Sequence, residues 1–176
     1  MNKILLYRNN TEMVIYNDNT VFGDGTHEST TGMLDMMAGI DLAGKSVLDI
    51  GTGTGILSVY AALCGAKVTA VDMSPAAMEF ARKNFDANGV TVDLIFNDLT
   101  RDIEKKFDLI VANLAAPVQV ENLKTVEKCM AEEGRLIISW LNYLPLERYA
   151  RGFEVIDRVE GTEYDVYKLR AKKEET

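Results

Sequence analysis

The run Ser-Val-Leu-Asp-Ile-Gly-Thr-Gly-Thr-Gly at residues 46–55 leaves the chain few ways to fold. Val47, Leu48 and Ile50 read as a short strand covered on both faces, and three glycines follow without a spacer. Residues 56–64 then carry apolar side chains right round, as a helix packed on a sheet requires. The unit is a strand, a glycine turn and a helix. Such a unit holds its ligand beyond the carboxyl end of the strand, where glycine lets backbone approach and the helix N-terminus favours an anionic group.

The details of the loop narrow the ligand. A dinucleotide fingerprint spaces its glycines Gly-x-Gly-x-x-Gly around a pyrophosphate, whereas Gly51, Thr52, Gly53 and Gly55 give Gly-x-Gly-x-Gly. Asp49 closes the strand just before the loop, where its charge repels a diphosphate and attracts an ammonium. Residues 67–72 form a second strand ending in another acid, Asp72, placed to accept both hydroxyls of a ribose. An amino acid at one end and a nucleoside at the other describe S-adenosyl-L-methionine. A nicotinamide cofactor is disfavoured by the same two features.

Asp49 through Gly55 together with Asp72 resemble the first two motifs of the class I S-adenosylmethionine-dependent methyltransferases. Two further stretches narrow the resemblance to the bacterial methyltransferases of ribosomal protein L-eleven (PrmA-like). These are Phe-Gly-Asp-Gly-Thr-His-Glu-Ser-Thr-Thr at 22–31 and Val-Ala-Asn-Leu-Ala-Ala-Pro at 111–117. The family patterns are close to F-G-T-G-T-H-P-T-T and A-N-I-L-A, and the resemblance runs from about Phe22 onward. It implies that residues 22–31 lie over the bound cofactor, with Phe22, Thr26, His27 and Thr30 on the ligand. It also implies that Asp98 and Leu99, at the end of a third strand, hold the adenine, and that Asn113 both touches the cofactor and orients the methyl acceptor. Met73 would lie against the adenine face or simply fill the core. Asn113, read without the resemblance, is an ordinary cap for the following helix, and residues 22–31 are a capped loop held by His27. Members of the family carry a separate N-terminal substrate domain, and only about twenty residues precede Phe22 here.

One domain is expected over 1–176, with an N-terminal hairpin at 1–21, a cofactor-covering loop at 22–31 and a core at 32–176. The hairpin rests on two β-favouring runs, 4–7 and 13–16, around turn formers. Ser29 or Thr30 is the expected N-cap of the next helix, and Ser74 with Pro75 opens another that ends at Gly89. A third strand covers 90–96. A fourth, nearly all-apolar strand at 107–114 should lie centrally beside the first. A helix over 118–130, a turn at Glu133 and Gly134, a fifth strand over 135–141, a short helix at 146–150 and two alternating strands complete the order. Strand and helix alternating five times before an antiparallel pair gives a doubly wound, Rossmann-like α/β fold. Its mixed sheet has seven strands, with helices on both faces.

A formal net charge of −8 excludes the basic footprint of tight nonspecific nucleic-acid binding and suits a basic protein partner. The longest apolar runs are too short for a membrane span and no leader pattern opens the chain, so a cytoplasmic enzyme is expected. Cys64, Cys129 and the single His27 lack metal spacing and read as buried thiols and a loop histidine. The chemistry expected is methyl transfer to a protein amine, with a ribosomal protein as one possible acceptor. A small-molecule acceptor is second, and a cofactor-binding protein without catalysis is the alternative of another class.

Overall fold

The structure is a computed structural model that describes residues 2–98 and 103–173. A hairpin of β1 (Asn2–Arg8) and β2 (Thr11–Asn17) opens the chain, and α1 (Glu28–Ala38) follows. Then come β3 (Ser46–Ile50), α2 (Ile56–Leu63), β4 (Lys67–Asp72), α3 (Pro75–Asn88) and β5 (Val92–Phe96). The second half holds β6 (Phe107–Ala112), α4 (Ala116–Cys129), β7 (Met130–Leu141), a single 3-10 turn at Leu146–Arg148, β8 (Phe153–Val159) and β9 (Tyr164–Ala171).

Seven strands form one sheet in the order β5-β4-β3-β6-β7-β9-β8. The chain runs outward from β3 through β4 to β5, then returns to the other side of β3 as β6, with Val47 opposite Leu109 and Ile50 opposite Ala112. The carboxyl ends of β3 and β6 therefore diverge at the point where strand order reverses, which is where open α/β sheets hold ligands. The last two strands run antiparallel, β9 inserting between β7 and β8.

Alternation along each strand sorts the core into two layers. Val47, Leu109, Val111 and Ile137 face a cluster built with α1, α2, α3 and Met13 and Ile15 of the hairpin. Leu48, Ile50, Ile110 and Ile138 face the opposite layer, where α4 and the 3-10 turn supply Leu123, Val126 and Leu146. Cys129 is buried and Cys64 half-buried, both as free thiols.

Three expectations are corrected. The strand β7 starts at Met130 and not at residue 135. It runs through Glu133 and Gly134, because Phe107 of β6 pairs with Met130 before a register shift brings Leu109 opposite Arg135. The alternation is also incomplete. Among the described residues no helix joins β5 to β6, and only one 3-10 turn follows β7. Finally, α1 is capped by His27, whose Nδ1 accepts from the Ser29 amide at 3.2 Å, so Ser29 and Thr30 lie inside the helix and are buried.

The hairpin is docked by side-chain amides. Asn84 and Asn88, one helical turn apart on α3, face β2 as a second strand would. Asn88 Oδ1 accepts from Val14 N at 2.8 Å while its Nδ2 donates to Val14 O at 2.7 Å. Asn84 repeats this on Tyr16, at 2.7 and 3.1 Å, and its Nδ2 also donates to Thr54 O at 2.8 Å. Asn84 is completely buried, so its loss strands three backbone groups. Asn84→Ala should lower unfolding free energy by about 2–4 kcal/mol in urea titrations, and the half-buried Asn88→Ala by about half as much.

Candidate functional site

A cavity of about 570 Å³ lies at the carboxyl ends of β3, β4 and β6. Its floor is the turn between β3 and α2, and the shape of that turn depends on missing side chains. Gly53 has φ of +57°, and a Cβ there would stand 2.5 Å from Phe22 O. Gly55, at φ +83° and beside the Phe85 ring, serves packing and does not border the cavity.

Two carboxylates organise this floor. Asp49 is buried, and its Oδ2 accepts from Thr52 Oγ1 and from Ser58 Oγ, both at 2.7 Å. Burial pushes its carboxyl up to about 6, against the lowering effect of those two hydroxyls. Asp72 ties two helix entries together. Its Oδ2 accepts from Gly53 N and its Oδ1 from Ser74 N, each at 2.9 Å, and Ser74 Oγ in turn accepts from Ala77 N to cap α3. One lone pair on each Asp72 oxygen remains for a ligand.

The other side of the cavity is built from segments distant in sequence. Asn113 follows β6, its Nδ2 donating to Thr30 Oγ1 at 3.2 Å and its Oδ1 accepting from Ser139 Oγ at 2.7 Å. It does not cap α4, whose N-cap is Ala115. The rings of Phe22, His27 and Tyr164 meet edge-on, with centroids 5.1 and 5.3 Å apart.

Of the residues expected at the site, Phe22, His27, Thr30, Asp49, Gly51, Thr52, Gly53, Asp72, Met73 and Asn113 line this cavity. Thr26 does not; its amide and hydroxyl both bond Asp24 Oδ1 at 2.8 Å in an exposed turn. Asp98 does not border it either, and Leu99 lies outside the described residues. Ser29, expected only as a helix cap within the covering loop, also lines the cavity, and so do Ser139 and Tyr164, which carried no signal in the sequence because each owes its place to tertiary pairing. Among the described residues the lining includes Asp49 and Asp72 but no lysine or arginine, and no group of three or more His, Cys, Asp and Glu could hold a metal ion.

The family model described as ribosomal protein L11 methyltransferase (PrmA) matches residues 5–167. The chain belongs to the PrmA family. It is 36% identical over 146 residues to the ribosomal protein L11 methyltransferase of Caldicellulosiruptor bescii, covering 82% of this chain and 48% of that protein. With the protein of the same description from Thermosipho africanus it shares 32% over 152 residues, covering 85% and 57%. This PrmA-family chain thus spans about half the length of the relatives it matches. Among solved structures, the ribosomal protein L11 methylase of Lactobacillus delbrueckii superposes with a TM-score of 0.81 at 27% identity, covering 89% of this chain and 84% of that one. A T. thermophilus 16S rRNA methyltransferase (RsmC), in complex with AdoMet and guanosine, gives 0.83 at 19% identity over 97% of this chain and 50% of that one. At that identity the likeness shows the fold. No helix among the described residues is long and apolar enough to cross a membrane.

The elevated Asp49 has a consequence for stability. With a folded value of about 6 and an unfolded value of about 3.9, the native state holds a proton that the unfolded state has released between them. Stability from this group is therefore present in acid and lost as pH rises through that window. Asp49→Asn, which keeps the shape without the charge, should gain on the parent by on the order of 3 kcal/mol between about pH 4 and about pH 7 in paired denaturation curves.

Proposed function

We propose that this chain transfers the methyl group of S-adenosyl-L-methionine to an amine nitrogen of a protein, with a ribosomal protein as the substrate class. The observation that carries the reading is one cavity floor on which a glycine turn and two carboxylates from adjacent strand ends converge without a cation. The residues fit the group. Asp72 keeps a lone pair on each oxygen for a ribose diol, Gly51 and Gly53 let the ligand approach backbone, and the destabilised charge of Asp49 suits an ammonium. When bound, S-adenosyl-L-methionine would supply a methyl on positively charged sulfur: the lone pair of an uncharged nitrogen would form the new N–C bond as the C–S bond breaks and its electrons stay with sulfur, the nitrogen then releasing a proton to water.

The chain then has to place the acceptor. Asn113 is held at both ends, by Thr30 and Ser139, so its amide cannot rotate away; one lone pair on Oδ1 and one N–H on Nδ2 remain for the acceptor. Fixing a nitrogen at bonding distance converts encounter into an intramolecular step, which is the main term left to the protein when the methyl is already activated. The net charge of −8 favours encounter with a basic protein, and a cytoplasmic setting accords with a ribosomal one.

Two measurements test this reading. S-adenosyl-L-methionine should raise the melting temperature while NAD leaves it unchanged, and isotope-labelled cofactor should label ribosomal protein L11 as seen by mass spectrometry. Equal stabilisation by NAD would remove the cofactor assignment. Asn113→Ala should keep most of the cofactor affinity and lower methyl transfer on the order of a hundredfold, the effect of misplacing an acceptor by about 1 Å. Full transfer by that variant would remove the role given to Asn113.

A further inference from the structure

Residues 20–27 form a strap that lines the cavity at residues 20–23 and again at His27, and Thr54 fixes it, its amide donating to Phe22 O at 3.1 Å and its hydroxyl donating to Gly23 O. Its carboxyl end is fixed by Glu28, the first residue of α1. Its Oε1 accepts from Glu163 N and Tyr164 N, both at 2.7 Å, and its Oε2 from Thr162 N at 2.9 Å. Thr162 and Glu163 lie in the turn between β8 and β9 and Tyr164 opens β9, all more than 130 residues away. These bonds hold the carboxyl below its ordinary range, the Thr162 amide contributing most.

The same helical turn carries residues that wall the cavity. His27, one residue before Glu28, sits edge-on between Phe22 and Tyr164, and Tyr164 is itself one of the three donors to Glu28. Thr30, two residues after, meets Asn113. A grip on the β8–β9 turn therefore also fixes where His27 and Thr30 stand.

We propose that Glu28 is a positioning residue, clamping the first turn of α1 to the β8–β9 turn and so holding His27 and Thr30 against Tyr164 and Asn113. What the cavity binds rests on the functional reading above; the clamp rests on geometry alone. A glutamine offers one acceptor oxygen and cannot satisfy three amides, whereas an alanine satisfies none.

Hydrogen exchange on the ligand-free chain, comparing Glu28→Ala and Glu28→Gln with the parent, tests the clamp. Protection should fall together at 162–164 and at 24–31 in the alanine variant, less so in the glutamine variant, with β3 and β4 unchanged. The second measurement is the dissociation rate of S-adenosylhomocysteine, which should rise on the order of tenfold for Glu28→Ala, as charge-assisted bonds are lost, with a smaller rise for Glu28→Gln. Protection lost only at 162–164 would reduce Glu28 to a cap on the turn and overturn the proposal. So would parental dissociation rates despite loosening of both segments. Should Glu28→Ala fail to fold, the glutamine variant decides both measurements. Failure of the parent to bind S-adenosylhomocysteine counts against the functional reading, while the exchange result on the empty chain still decides the clamp.

Discussion

A turn made of glycines cannot hold its own shape, and the site depends on how this one is held by others. Glycine contributes no side chain to pack and has the most conformational freedom to lose on folding. Between β3 and α2 that freedom is removed from four directions. Asp72 takes the Gly53 amide, Asn84 takes the Thr54 carbonyl, Phe22 O takes the Thr54 amide and Asp49 takes the Thr52 hydroxyl. Each of these partners sits on a different element, so β4, α3, the strap and β3 must all be in place before the ligand-facing backbone is. Close approach to the ligand and rigidity are thus supplied by different residues.

The far side of the cavity is supported by another buried carboxylate. Asp165 on β9 is almost completely buried, and its Oδ2 accepts from Arg158 Nε at 3.1 Å, Arg158 Nη2 at 2.6 Å and Tyr167 OH at 3.1 Å. Its Oδ1 accepts from Gly161 N at 3.1 Å. A buried carboxylate satisfied this fully locks the β8–β9 turn, because breaking any one bond leaves charge exposed to a low-dielectric interior. Asn142 adds two further bonds to that turn, its amide reaching Glu163 O and its Nδ2 reaching Thr162 O. Glu28 therefore grips an anchored turn and not a free hairpin.

What the sequence made legible, and what it hid, follows from the range of the interactions. The strands β3, β4 and β6 announce themselves because burial on both faces makes them largely apolar, and Asp49, Asp72 and Asn113 stand out as polar residues at or just past their carboxyl ends. The Ser74 cap is local and was readable; His27 is equally local but is not among the residues that usually cap, so Ser29 and Thr30 drew attention instead. Gly55 belongs to the glycine pattern yet answers to Phe85, a contact no spacing encodes. Asn84 and Asn88 look like weak helix formers until β2, whose bonding partners lie 68 to 74 residues away, is laid beside them. The early start of β7 was hidden for a related reason, since Met130 is a strand residue only because Phe107 pairs with it.

These long-range contacts divide the cavity into halves with separate support. The floor, with Asp49, Asp72 and the glycine turn, is held by β4 and α3. The opposite wall, with Thr30, Asn113, Ser139 and Tyr164, is held by α1 and by β7 and β9 on the other side of the sheet's reversal point. The β3–β6 ladder joins them, with Ile50 opposite Ala112, and the strap bridges them a second time, pinned to the floor at Thr54 and to the wall at Glu28. The ladder joins the halves through backbone, while the polar side chains bond within their own half, Asp49 and Asp72 on the floor and Thr30, Asn113 and Ser139 on the wall. On the proposed reading, side chains on α1, at the end of β7 and in the β8–β9 turn can vary with the acceptor while the floor of Asp49, Asp72 and the glycine turn keeps its internal hydrogen bonds.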